Sequence, residues 1–261
     1  MLKALASQRA AVLERQRLSA EAGRAHVLAE ANELRSALLQ AVSHDLRTPL
    51  ATIKASVSSL CQDDIDWPPE ERKEFLTTIS EETDRLTTLV GNLLDMSRLQ
   101  AGVLHPTLRP VGLEEVIPAA LMSLGPRAAA VKADVTETFP PVLADASLLE
   151  RAVANVVDNA IHWSPPGTRV RLEAGVFGGQ VNVRVVDQGP GIPRRQRDLV
   201  FQPFQRLGDS GGDTGVGLGL AVARGFLQAM GGAIEIEDTA GGGTTIILRL
   251  QVAEPDRGRT R

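Results

Sequence analysis

The chain has 261 residues and a net charge of −4, with 28 Lys and Arg against 32 Asp and Glu, so no basic excess speaks for a nucleic-acid partner. A single cysteine, Cys61, excludes a disulfide framework and suits a reducing compartment. The length is generous for one compact domain and fits a helical module followed by an α/β domain. The first apolar stretch is broken by Gln8 and Arg9, which leaves neither a signal-peptide core nor a bilayer span. The expectation is a soluble, cytoplasmic chain.

Residues 1–40 are rich in Ala, Leu, Glu, Arg and Gln, with no Pro and the single Gly23, which predicts one long helix. From Leu39 the apolar positions Val42, Leu46, Leu50, Ile53, Val57 and Leu60 recur mostly in steps of three and four, and such a stripe needs a partner helix. Residues 63–69 supply a turn, and Pro69 with Glu70 and Glu71 reads as a helix start. Ile79, Leu86, Val90 and Leu93 continue as a second stripe that stops at Gly102. The two stripes predict a helical hairpin of the kind that dimerises into a four-helix bundle. On periodicity alone, a purely structural hairpin remains an alternative.

Within the first stripe stands Ser43-His44-Asp45-Leu46-Arg47-Thr48-Pro49. His44 lies roughly 200° around the helix from Leu46, away from the seam. Thr48, four residues on, shares its face, and Asp45 stands beside it. Pro49 removes a backbone donor and crowds the carbonyl of Asp45, so a bend is expected just after His44.

After Gly102 the pattern changes to short apolar runs separated by Gly and Pro. Residues 105–110 read as linker and first strand, 113–124 as a helix and 131–139 as a strand. Residues 145–162 form a strong amphipathic helix with Asp145 as its cap. Strands over 169–177 and 180–187 meet through Gly178-Gly179, a helix covers 218–230, and 233–238 with 244–250 make a closing hairpin. Hairpins in place of repeated crossovers predict a largely antiparallel sheet covered on one face by helices.

Three clusters in this second part carry chemistry. Asn155 and Asn159 share a helix face, where their amides suit a hard cation or phosphate oxygens, although such pairs also cap or solvate. Asp187-Gln188-Gly189-Pro190-Gly191 follows an apolar strand. An aspartate there accepts from an exocyclic amine while the glycines admit a flat ring, and an ordinary turn is the alternative. Residues 208–219 are glycine-rich and lead into a helix N-terminus, a phosphate-binding arrangement or a linker. No Gly-Lys pair occurs, so this is not a Walker loop.

Taken together, the chain resembles the transmitter core of bacterial sensor histidine kinases over roughly residues 24–252. Residues 43–50 match the family's H box, 155–160 its N box, 187–191 its G1 box, Phe201-Gln202-Pro203-Phe204-Gln205-Arg206 its F box and 215–219 its G2 box. Asn92-Leu93-Leu94-Asp95-Met96, with the form of the H and G2 boxes, looks most like the potassium-responsive Kdp sensor kinases. The resemblance implies a multidomain α and α+β fold: a dimerisation and phosphotransfer hairpin followed by an ATP-binding α/β sandwich of the gyrase, Hsp90, histidine kinase and MutL type. It divides the chain into a helical extension (1–23), the hairpin (24–102), a linker (103–107), the ATP-binding domain (108–252) and a disordered tail (253–261).

Carried over by position, His44 receives phosphate, Asp45 prepares it, and Thr48 helps to dephosphorylate the partner. Asn155 holds Mg²⁺, and Asn159 lines the ATP site. Asp187 reads the adenine amine, with Gly189 and Gly191 beside it. Phe201 and Phe204 anchor a lid that hinges at Gly215, Gly217 and Gly219. His162 and Trp163 stand where the family often has Lys or Arg and commonly Tyr. A neutral imidazole brings less charge to the phosphates, and Arg206 is the candidate compensating cation. The implied partners are a second copy of the chain and a cognate response regulator, with room for an upstream membrane or sensory region. A conformational ATPase of the same superfamily and a non-catalytic dimeric scaffold are the two competing readings.

Overall fold

The structure is a computed structural model that describes residues 42–62, 64–135, 139–205 and 217–253. The helix expected over residues 1–40, the tail from 254, Arg206 and Gly215 lie outside the described residues. The chain separates into two compact units, the first ending at Glu82 and the second beginning at Thr83. No described helix is long and apolar enough to cross a membrane.

In the first unit, residues 42–60 form helix α1, which runs through Pro49 without a break. Hydroxyls flank the missing backbone bond: Thr48 Oγ1 donates to the carbonyl of His44 at 3.4 Å, and Thr52 Oγ1 to that of Thr48 at 3.2 Å. Trp67 closes the turn that follows, donating from Nε1 to the carbonyl of Ser59 at 2.8 Å and meeting Phe75 edge-on with ring centroids 5.0 Å apart. Helix α2 spans Pro69–Gln100, beginning in the first unit and ending in the second, and carries Glu70 and Glu71 in its first turn, where acids suit the helix dipole. The expected seam holds at Val42, which is buried, and in part at Leu46, Ile53 and Leu60, which are half-buried. Pro49 and Ser56 are also buried, whereas Leu50 and Val57 remain 54% and 43% exposed.

Helix α2 ends in a Schellman turn: Gly102 has φ +65°, its N–H donates to Leu99, and that of Val103 donates to Arg98. The second unit then runs β1 (Arg109–Val111), α3 (Leu113–Ser123), β2 (Val131–Asp134), β3 (Val142–Ala144), α4 (Ala146–Trp163), β4 (Val170–Phe177), β5 (Gln180–Val186), α5 (Gly219–Ala229), β6 (Ala233–Asp238) and β7 (Thr244–Gln251). The main sheet has the order β2-β4-β5-β7-β6, antiparallel except for the parallel pair β2 and β4. Strands β1 and β3 form a separate antiparallel pair.

Alternation builds the core. On β5, Val181, Val183 and Val185 lie opposite Leu250, Leu248 and Ile246 of β7, and all six are buried. Against this face pack Leu149, Val153, Val156 and Val157 of α4 and Val222, Phe226 and Leu227 of α5, in one continuous cluster. The opposite face carries ion pairs, Arg184 with Glu237 and Arg249 with Glu235, as a solvated sheet surface should. The strand expected over 131–139 is shorter, ending at Asp134, and β3 is an additional strand. Ala253, expected in the tail, is 4% exposed and donates its N–H to the carbonyl of Pro141 at 2.7 Å.

Asp145 joins two parts of this unit. Its Oδ1 accepts from the amides of Ser147 and Leu148, capping α4, while its Oδ2 accepts from the amide of Thr107 at 2.9 Å. Asp145→Ala is expected to cost about 0.5–2 kcal/mol, the usual range for a lost cap. Urea denaturation of the two proteins side by side measures this, and an unchanged midpoint contradicts it.

Candidate functional site

Two sets of side chains stand out, one in each unit. In the first unit His44 is exposed, at 78% for its side chain, and its Nδ1–H donates to Asp45 Oδ1 at 3.0 Å. An Nδ1 proton held by a carboxylate fixes the tautomer with its lone pair on Nε2, the nitrogen that points away from Asp45. Thr48 lies one turn further on the same face, its hydroxyl committed to the carbonyl of His44. An open groove on α1 is lined by Ser43, next to this histidine in the chain, with Leu46, Arg47, Leu50, Ala51 and Lys54.

In the second unit the site is built at the ends of β5 and β7 and along α4 and α5. Asp187 follows β5 directly and is 4% exposed. Its Oδ1 accepts from the amides of Gly189 and Thr244, both at 2.8 Å, and its own N–H donates to the carbonyl of Thr244 at 2.9 Å. Burial pushes the Asp187 carboxyl up from the ordinary carboxylate range, and the Gly189 and Thr244 amides pull it partly back.

Glycines surround this carboxylate for steric reasons. A Cβ on Gly189 would lie 2.7 Å from the carbonyl oxygen of Trp163, so the end of α4 and the Asp187 turn touch through backbone. Gly243 has φ +106°, and a Cβ there would collide with the carbonyl oxygen of Asp187. Gly191, at φ +77°, faces Gly243 across this turn. Gly243 and Thr244 were not among the residues predicted from sequence. Their signal was the run Gly241-Gly242-Gly243-Thr244, which reads equally as an ordinary hairpin turn.

Asn155 and Asn159 are half-buried on α4, beside the fully buried Val156 and Val157. Gly219, at the start of α5, comes against Asn155: a methyl group in place of its hydrogen would lie 3.9 Å from the Asn155 Cβ and Cγ. Among the described residues no side chain caps the N-terminus of α5, which leaves the amides of its first turn without a side-chain partner at the cap. His162 is exposed in the last turn of α4, edge-on to Trp163 with centroids 5.3 Å apart.

Phe201 is buried beneath the guanidinium of Arg224, 5.4 Å from the ring centroid. Phe204 has φ +65°, rare for a side chain of its size, and its N–H donates to the carbonyl of Gly217 at 3.0 Å. Gly217, at φ +72°, leaves no room for a Cβ against the backbone of Gln205. The chain therefore leaves this region at Gln205 and returns to the same point at Gly217. Among the sequence-predicted residues, the fold brings Asn155 to Gly219, Trp163 to Gly189 and Asp187, and Phe204 to Gly217.

Two outcomes are expected of the carboxylate turn. The folded-state pKa of Asp187 is raised, so its contribution to stability is full below the unfolded pKa and is lost as pH rises through the folded one. Asp187→Asn, which keeps the acceptor and removes the charge, should gain in Tm on the parent as pH rises and converge with it in acid. Thermal melts across that range decide it, and a constant difference would refute the burial argument. Gly243→Ala should lose roughly 1–3 kcal/mol in urea denaturation, the cost of forcing a side chain into this backbone conformation.

Comparison with known proteins places this geometry. Residues 34–102 match the family model of the His Kinase A (phospho-acceptor) domain, and residues 144–254 that of the histidine kinase-, DNA gyrase B- and HSP90-like ATPases. The chain is 48% identical to the sensor protein KdpD of Mycobacterium tuberculosis over 97% of its own length and 30% of that protein. It is 37% identical to the signal transduction histidine-protein kinase/phosphatase MprB of Mycolicibacterium vanbaalenii over 88% of its length and 48% of that protein. The chain thus spans less than half of these relatives. The histidine kinase AdeS of Acinetobacter baumannii shares its fold, with a TM-score of 0.57 at 22% identity over 81% of this chain and 98% of that one. The chain belongs to the sensor histidine kinases, with a Kdp-like transmitter core made of a phospho-acceptor hairpin and an ATPase sandwich.

Proposed function

We propose that this chain autophosphorylates His44 from ATP, passes the phosphoryl group to an aspartate of a response regulator, and also removes it from that regulator. The observation that carries the reading is the exposed His44 with Nδ1 tied to Asp45 at 3.0 Å, because a nucleophile for phosphoryl transfer needs an open lone pair in a fixed direction. As Nε2 takes the phosphoryl group the ring gains positive charge, and the Asp45 carboxylate offsets it.

The residues around Asp187 fit an adenine nucleotide. A carboxylate whose one oxygen is held by two backbone amides presents the other to an exocyclic amine. Gly189 and Gly191 admit the ring, and Trp163 supplies an aromatic wall. Asn159, His162 and Arg206 serve the phosphates. Phe201 and Phe204 anchor the lid, and Gly215, Gly217 and Gly219 hinge it. Among the described residues no group of three or more His, Cys, Asp or Glu forms a metal site. Mg²⁺ would be held by the Asn155 amide oxygen together with substrate phosphates, since this ion takes few protein ligands. When bound, Mg²⁺ neutralises the charge on the transferred phosphate.

Residues 24–102 serve phosphotransfer and dimerisation, and residues 108–252 bind ATP. The uncovered flank of α1, with Leu50 and Val57, supports pairing with a second copy, which buries that apolar surface. The groove on α1, with Arg47 and Lys54 on its rim, supports docking of the regulator. The chain works where ATP is present, in the cytoplasm. The phosphatase reaction draws support from the kinase/phosphatase MprB relative and from Thr48, one turn beyond His44.

Incubation with γ-labelled ATP tests the reading. Acid-labile, alkali-stable label that disappears in His44→Gln is expected. ATP turnover without label points instead to a conformational ATPase, and absence of ATP binding to a scaffold. Asp187→Asn should weaken ATP binding about tenfold or more, the loss expected of a charged hydrogen bond. Thr48→Ala should keep autophosphorylation and lose regulator dephosphorylation, and equal loss of both contradicts this division of roles.

A further inference from the structure

Arg197 lies between the Asp187 turn and Phe201 and was not among the residues predicted from sequence. Its side chain is only 20% exposed and meets three acceptors from two segments. Nε donates to the carbonyl of Ile192 at 3.3 Å, Nη1 to that of Ile236 at 3.2 Å, and Nη2 to the carboxylate of Asp238. Ile192 ends the turn that begins at Asp187. Ile236 and Asp238 belong to β6, the edge strand of the main sheet. A planar guanidinium, with donors on all three nitrogens, holds three acceptors in fixed directions.

The register of the closing hairpin gives this clamp its place. Asp238 lies opposite Thr244, the residue whose amide donates to Asp187. The turn is therefore tied at both ends to one cross-strand pair: its first residue bonds to Thr244, and its last is bonded through Arg197 to Asp238. Between the two ties lie Gly189 and Gly191, and a Cβ on Gly191 would lie 3.4 Å from the carbonyl oxygen of Gly243 in the same hairpin. Glycines give such a turn little stiffness of its own, because they sample more backbone conformations than other residues. The two ties supply what the composition lacks. Asp238 shares the strand face of Ile234 and Ile236, which pack against the core, whereas Glu237 points the other way to its ion pair with Arg184.

We infer that Arg197 is a positioning residue that sets nucleotide specificity by closing the Asp187 turn on the β6–β7 hairpin. The inference rests on the adenine-binding reading given above. Adenine offers an exocyclic amine to the free Asp187 oxygen, whereas guanine carries a carbonyl oxygen at that ring position and meets the carboxylate with no donor. Rejecting guanine requires a ring that cannot shift, and so it depends on the end of the turn that Arg197 holds. The acceptors of Arg197 lie on the turn and on β6, away from the residues assigned to the phosphates. The transfer step at saturating ATP is therefore outside its reach.

The test uses the full chain with Mg²⁺, ATP and GTP as the probes, and the variants Arg197→Gln, Arg197→Lys and Asp238→Asn. Glu237→Gln, which removes an ion pair from the opposite face of the same strand, is the control. Arg197→Gln should weaken ATP binding about three- to tenfold, the range of a weakened hydrogen bond, and weaken GTP binding less, so that the discrimination between the two falls. The rate of His44 phosphorylation at saturating ATP should not change. Arg197→Lys, which keeps the charge and loses the planar fork, should also lower the discrimination. Asp238→Asn, which spares both carbonyl bonds, should shift it in the same direction and serves where Arg197→Gln folds poorly. Constant discrimination with a lowered Tm, equal loss for both nucleotides, a slower transfer step, full recovery in Arg197→Lys, or the same loss in Glu237→Gln would overturn the assignment. In the unliganded protein, hydrogen exchange at the Gly189 and Thr244 amides should quicken in Arg197→Gln. Wild-type protein that binds neither nucleotide, or both alike, removes the adenine reading instead, and unchanged exchange then refutes the clamp by itself.

Discussion

A carboxylate taken out of water has to be met by donors that folding itself supplies. Around Asp187 those donors are backbone amides from two directions, Gly189 just downstream and Thr244 at the start of β7. The second bond exists only if β5 and β7 pair in the observed register, which sets Val186 opposite Thr245. That register also stacks Val181, Val183 and Val185 on Leu250, Leu248 and Ile246, the layer on which α4 and α5 rest. A slip of one residue would therefore orphan the carboxylate and turn the core face of β7 toward solvent. Site and core are two readings of one strand pairing.

The same economy governs the backbone around the site. Trp163 at the end of α4 approaches Gly189 closely enough to exclude any side chain there, and Gly243 does the same against Asp187. Helix end, strand end and hairpin turn converge on one carboxylate with no side chains between them. Positions such as these hold a polar group in a direction set by the main chain, which is stiffer than any rotamer.

Local patterns made much of this legible in the sequence. The amphipathic face Leu148, Leu149, Ala152, Val153, Val156, Val157 and Ala160 identified α4, with Asp145 as its cap, and the structure buries all of them except Leu148, which packs partly buried against the core. Gly178-Gly179 identified the β4–β5 hairpin. Features formed by residues distant in the chain were not legible. Strand β3 has three residues and pairs with β1, so it offers no alternation to detect. Thr244 reaches Asp187 across 57 positions, and Arg151 reaches Asp95 across 56, separations at which no spacing rule applies. In α1 the stripe was read correctly at Val42, Leu46, Ile53 and Leu60, while Pro49 and Ser56 lie inward where Leu50 and Val57 were expected.

The bond from Phe204 to Gly217 frees the scaffold from the length of the chain that it closes off. Because Gln205 and Gly217 are held at one point by a 3.0 Å hydrogen bond and a close backbone contact, the strand register and both site helices do not depend on the number of residues between these two positions. Insertions or deletions there act on loop closure alone. Their cost is that of closing a longer or shorter loop, about 0.6 kcal/mol for each doubling of length. The scaffold that holds Asp187 is thereby independent of the length of that segment.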